Sequence, residues 1–239
     1  MARRLMTGRS GFGAARFFID NSILTHYTDS IVIDWIVTEM KNSREIQKEQ
    51  TRALLIRTAY DVFCRMGIMR ARASDIAQAA HVSHGTVFVH FVSMDALIEE
   101  VVAVYGQRIA LRTHELAHGR AQLAELLRAH LNGIMEFEPF YARLILENRL
   151  LPPGARDSFI GIQSAISFHF SQALEHDASY AAEVPPYFLF NLWVGLVHHY
   201  LSNGDLFAPD GGVICRHGDM LIKNFLTLVE KEGTQYECR

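Results

Sequence analysis

The chain has 239 residues and a formal net charge of −3, enough for one large domain or two small ones. An apolar fraction of 49% and a charged fraction of 21% allow a packed core and exclude general disorder. The charge balance excludes a uniformly basic nucleic-acid binder, no apolar run reaches the ~18 residues of a spanning helix, and three cysteines, Cys64, Cys215 and Cys238, cannot build a disulfide framework and suit a reducing cytoplasm.

The charge is unevenly spread. Residues 41–95 carry 8 Lys/Arg against 5 Asp/Glu, whereas residues 96–239 carry 11 against 17. Such a split suggests a small anion-binding module joined to a larger acidic body. Residues 1–39 do not fit the pattern of the rest of the chain. Gly8, Gly11 and Gly13 do not form GxGxxG, and Arg3-Arg4 lacks the apolar segment of an export signal. Met40 reads as the natural start. Residues 1–39 are then an extension, either poorly ordered or left by a mis-assigned start, with 31–40 able to form a short helix or strand.

From Arg44 the helical signal is strong. Leu55, Ala59, Val62, Phe63 and Met66 share one helix face, and Gly67 suits its termination. Residues 74–80 predict a two-turn helix, His81-Val82 a turn, and Ser83 the cap of a third helix with Thr86 at its N3 position. Phe91-Val92 ends that helix and Ser93 caps a long fourth one, with Leu97, Val101, Val104, Tyr105, Ile109 and Leu116 along one side. Helices are then expected over 120–138, 140–151, 155–176, 187–202 and 213–231. Pro139, the Pro152-Pro153-Gly154 loop, Asn203-Gly204 and the 209–212 loop separate them. No period-2 pattern competes. The fold class is all-α: a three-helix helix-turn-helix domain over residues 40–95, then a larger helical bundle over 96–239.

Two short helices around a tight turn, in the one basic segment, form a helix-turn-helix arrangement. Ala77 and Ala80 allow the helices to approach closely. Ser83, His84, Gly85 and Thr86 are small enough at the second helix's start to enter a major groove about 12 Å wide. Residues 51–98 resemble the DNA-binding domain of the tetracycline-repressor (TetR) family of transcriptional regulators. The resemblance is carried by Ala59-Tyr60-Asp61-Val62-Phe63 with Gly67, and by Asp75-Ile76-Ala77-Gln78-Ala79-Ala80. It continues in Val82-Ser83-His84-Gly85-Thr86-Val87-Phe88, His90-Phe91 and Asp95-Ala96-Leu97.

The resemblance implies a homodimer on a palindromic double-stranded DNA operator, released by a small-molecule inducer bound in the C-terminal helices. It assigns Ser83, His84, Gly85 and Thr86 to groove or phosphates, and Arg72 and Ser74 to the start of the preceding helix. Phe88 stands where the family usually has tyrosine, so a phenolic phosphate contact is lost, and core packing competes with base contact for its role. His90 matches a family histidine that often reaches phosphate, with a packed histidine as the equal alternative. Met94 replaces a usual lysine, for which Lys41, Arg44, Lys48 and Arg52 offer compensation.

Aromatic side chains crowd the C-terminal part and suit an apolar or aromatic ligand among the helices. Phe137, Tyr141, Phe168 and Trp193 are the candidate walls, and Asn148, Arg149 and His169 the candidate polar contacts. Leu189, Trp193, Val197, Leu221, Phe225 and Leu228 form apolar stripes on the last two long helices and are candidates for a four-helix dimer interface. Twelve histidines include His114 and His118 at i, i+4, yet no set of three or four converging ligands stands out. Cys64 reads as a buried thiol. With no GxSxG, HExxH, P-loop or CxxC, neither catalysis nor a cofactor or metal is expected. An all-α enzyme, or a helical partner-binding protein without DNA binding, is the alternative.

Overall fold

The computed structural model describes the backbone of residues 21–117, 122–176 and 184–230, with side chains described over 43–116, 122–175 and 184–230. Of the expected extension over residues 1–39, residues 1–20 lie outside the described residues, and the backbone of 21–39 belongs to the first helix. Among the described residues there are ten helices and no strand: α1 (Asn21–Met66), α2 (Ala73–Ala79), α3 (His84–His90), α4 (Met94–Ala117), α5 (Leu123–Met135), α6 (Glu138–Glu147), α7 (Pro153–His176), α8 (Pro186–Ser202), α9 (Gly204–Phe207) and α10 (Val213–Val229). The chain divides into two units, residues 1–49 and 50–239. The first contributes the N-terminal part of α1, which begins at Asn21 rather than at Arg44 and is exposed over residues 43–49.

The second unit holds one continuous apolar core. Leu55, Ala59, Val62 and Phe63 bury the expected face of α1, while Met66, its last residue, is exposed. Gly67 takes φ +96° and turns the chain, and its missing side chain also matters. A Cβ there would lie 2.8 Å from Glu147 Oε1. That carboxylate, on α6, accepts hydrogen bonds from the backbone N–H groups of Ile68 at 3.2 Å and Met69 at 2.7 Å. Glycine therefore serves both the left-handed turn and the close approach.

The punctuation reads largely as expected. Ser93 Oγ caps α4 by accepting from Ala96 N–H at 3.1 Å. Pro139 falls in the first turn of α6, where its missing N–H costs nothing. Pro153 and Gly154, expected in a loop, instead open α7, and the Gly154 N–H of that first turn donates to Glu99 at 3.0 Å. The four-residue α9 follows directly on the Asn203-Gly204 stop. Gly212 has no side chain with which to cap α10. Glu138 of α6 does so from 75 residues away, accepting from Val213 N–H at 2.8 Å and Ile214 N–H at 2.9 Å. Among the described residues no helix is long and apolar enough to cross a membrane.

Candidate nucleic-acid interface and bundle core

The helix-turn-helix is built from local chemistry. Asp75 reaches back to accept from the Arg72 N–H at 2.9 Å, opening α2. Ala77 and Ala80 are buried between the short helices. The turn closes with Val82 N–H donating to Ala77 O at 3.0 Å, and His81 takes φ 55°. Ser83 is the N-cap of α3: its Oγ accepts from Thr86 N–H at 3.2 Å and lies 2.8 Å from Thr86 Oγ1. Val87 and Phe91 face the core. His84, Gly85, Phe88 and Val89 are exposed as one i, i+1, i+4, i+5 face.

Phe88 is 44% exposed, with its ring in edge contact with His84 at 5.2 Å. Of the two roles weighed for Phe88, core packing is overturned, because Val87 is the residue of this helix turned into the core. Arg72 and Ser74 are exposed at the start of α2, in keeping with their expected position. His90 is half-buried and lines a groove of about 580 Å³ shared with Phe91, Glu99, Glu100 and Gly154, away from the exposed row of α3. Arg44 and Lys48 are exposed in the unit of residues 1–49; the side chain of Lys41 lies outside the described ones. Arg52, expected in the basic lead-in, is tied within the protein. Its guanidinium bonds Glu100 at 2.7 Å, lowering that carboxyl below the ordinary range, and stacks 4.7 Å over Phe91.

The expected ligand residues do not converge. Phe137, Tyr141 and Trp193 are buried, but Phe168 is 61% exposed, and the Asn148 amide donates to Ile145 O at the end of α6. His169 pairs instead with His114 at 3.3 Å. What the core does hold is a polar cluster that sequence reasoning missed. Trp193 Nε1–H donates to His130 Nδ1 at 2.9 Å, and the Tyr141 hydroxyl lies 3.3 Å from His198 Nε2. An indole only donates, so neutral His130 carries its proton on Nε2. That Nε2 is buried and has no hydrogen-bond partner among the described residues. Burial, reinforced by His198, lowers the pKa of His130 to about 3, and burial lowers that of His198 to about 4. Burial also pushes the Cys64 thiol up to about 11, which keeps it protonated and supports the structural reading of that residue.

Five of the six expected dimer residues require correction. Leu189, Trp193, Val197, Leu221 and Phe225 are at most 4% exposed within the single chain. Side chains already packed inside a protomer cannot touch a second one. Leu228 alone of the set faces outward, and the other outward apolar residues of α8 and α10 include Phe188, Leu192 and Met220.

Residues 55–101 match the model of the bacterial regulatory proteins of the tetR family. Over these residues the chain carries a DNA-binding module of the tetR type. The probable acrEF/envCD operon repressor of Escherichia coli K12 is 32% identical over 91 residues, 38% of this chain and 34% of the relative. The HTH-type transcriptional regulator UidR of the same strain is 26% identical over 80 residues, 34% of this chain and 41% of the relative. The chain thus spans only about a third to two-fifths of these relatives in the matched region. The likeness of fold extends further. A TetR-family regulator from Agrobacterium tumefaciens superposes with a TM-score of 0.64 at 16% identity, over 77% of this chain and 100% of that one. FadR from Bacillus subtilis in complex with stearoyl-CoA gives 0.61 at 14% identity, over 74% and 99%. The TetR fold therefore includes the C-terminal bundle as well as the helix-turn-helix.

Proposed function

We propose that the chain is a sequence-specific transcriptional repressor that binds its operator as a homodimer and leaves it when a small apolar or aromatic ligand enters the bundle. The observation that carries this reading is the exposed face of α3, His84, Gly85, Phe88 and Val89, braced by α2 in a TetR module. Two such faces related by a two-fold axis fit successive major grooves about 34 Å apart.

His84→Ala removes the exposed row's imidazole and leaves the core untouched. Its expected effect is a loss of operator affinity of about tenfold or more, read by fluorescence anisotropy at fixed salt, with an unchanged thermal melt. Equal affinity would remove His84 from the interface.

The outward Phe188, Leu192, Met220 and Leu228 support dimerisation through α8 and α10. Leu192→Glu places a charge in that face. Sedimentation at micromolar concentration is expected to show a monomer, and a dimer as tight as the unmodified one would locate the interface elsewhere.

Ligand response is supported by the bundle core, where the His130 Nε2–H is buried and has no partner among the described residues. Helix α6 supports a route outward. Tyr141 faces His198 in that core, while Arg143 holds the end of α1 through Cys64 O and Glu147 holds the turn after it through Met69 N–H. A ligand that shifts Tyr141 thereby also shifts the anchor of the helix-turn-helix and biases the separation of the two recognition helices.

A further inference from the structure

The exposed face of α3 is short of groups that can read a base by hydrogen bonding. Ser83 and Thr86, the two hydroxyls at its start, are engaged with each other at 2.8 Å, and Ser83 Oγ also accepts the Thr86 N–H. Beyond the exposed Ser83 at its start, the helix turns outward one imidazole, one glycine and two apolar side chains, Phe88 at 44% and Val89 at 72% exposure. The His84 ring meets Phe88 edge-on at 5.2 Å, so the row presents a single, mostly apolar surface.

Gly85 belongs to the same surface for a reason outside the protein's own packing. A Cβ there would meet only Ser83 Oγ, at 3.8 Å. The fold tolerates a side chain at this position and the helix would gain from one. A bare backbone between His84 and Phe88 instead suits close approach by a partner.

The floor of the major groove offers one apolar feature among its donors and acceptors, the C5-methyl group of thymine. We infer that Phe88 and Val89 recognise thymine methyl groups, so that each half-site carries thymines opposite these two side chains while His84 supplies the hydrogen bond. This inference rests on the DNA-binding reading and sharpens it: the operator is read chiefly by shape and methyl contact.

The test separates the two claims. The full chain is used to select tight binders from a random duplex library, and the selected site is resynthesised with deoxyuridine in place of thymine. That exchange removes only the methyl group and keeps base pairing. Affinity is expected to fall about fourfold for each methyl contacted, the transfer value of one buried carbon. Phe88→Ser and Val89→Ser, both exposed and expected to leave the thermal melt unchanged, should bind the thymine site more weakly and discriminate less between the two DNAs. Selected half-sites without thymine, or equal binding of the thymine and deoxyuridine sites, would overturn the inference while leaving DNA binding intact. Failure to select any DNA would overturn both.

Discussion

Lowering the pH from 7.5 to 5.0 is expected to cost the fold about 4 kcal/mol through two histidines. In the folded chain His130 and His198 hold pKa values of about 3 and about 4 because they are buried. In the unfolded chain each returns to about 6.5. Below 6.5 the unfolded state takes up two protons that the folded state refuses, so stability falls with pH at a slope that grows toward about 2.7 kcal/mol per unit. The stabilisation is complete above 6.5 and is lost progressively toward the folded values. Geometry explains the refusal. Protonating His130 would set an N–H against the Trp193 N–H that now points at Nδ1 from 2.9 Å. Urea denaturation at pH 7.5, 6.0 and 5.0 reads the slope, and His198→Gln should remove about half of it. Equal stability at pH 7.5 and 5.0 would mean that the folded core accepts these protons.

Glu138→Ala is expected to cost about 3 kcal/mol, since it strands two N–H groups in a site that excludes water. Glu138 is 9% exposed, and both of its carboxylate oxygens are committed to Val213 and Ile214 at the start of α10. The negative charge also meets the positive end of that helix. No local substitute exists, because the N-cap position is Gly212. The exposed neighbour Glu136 provides the control, and Glu136→Ala should stay within about 0.5 kcal/mol of the unmodified chain. Hydrogen exchange should show Val213 and Ile214 losing protection first in Glu138→Ala. A cost below about 0.5 kcal/mol would mean that water or another group caps α10 equally well.

What the sequence reveals depends on the range of each interaction. Ser83, Gly67, Ser93 and Pro139 act within a turn of their own position, and each stands where its local chemistry places it. The apolar periodicity likewise locates the long helices. It fails where one helix has two apolar faces. On α8 the most apolar stripe, Leu189, Trp193 and Val197, faces the protomer's own core, and the second stripe with Phe188 and Leu192 faces outward. A helix apolar nearly all round signals such double duty, but periodicity does not say which stripe faces inward. Glu138, Glu147 and the Trp193–His130 pair lie beyond local reading because their partners are 63 to 79 residues away. A carboxylate at the C-terminal end of α6, where the helix dipole opposes it, is the one local hint that Glu147 has a partner elsewhere. Arg52 shows the converse. In the sequence it reads as a basic residue beside the DNA backbone, and the fold instead closes Glu100 and Phe91 against it.

The central claim, that the exposed face of α3 reads a specific DNA sequence, is tested most directly by incubating the purified full chain with fragmented genomic DNA from its own host and sequencing what it retains. The account predicts a small set of strongly enriched fragments sharing a palindrome, with half-sites about one helical turn apart and enrichment lost in His84→Ala. Fragments retained evenly across the genome, with no shared motif and no change in His84→Ala, would contradict it.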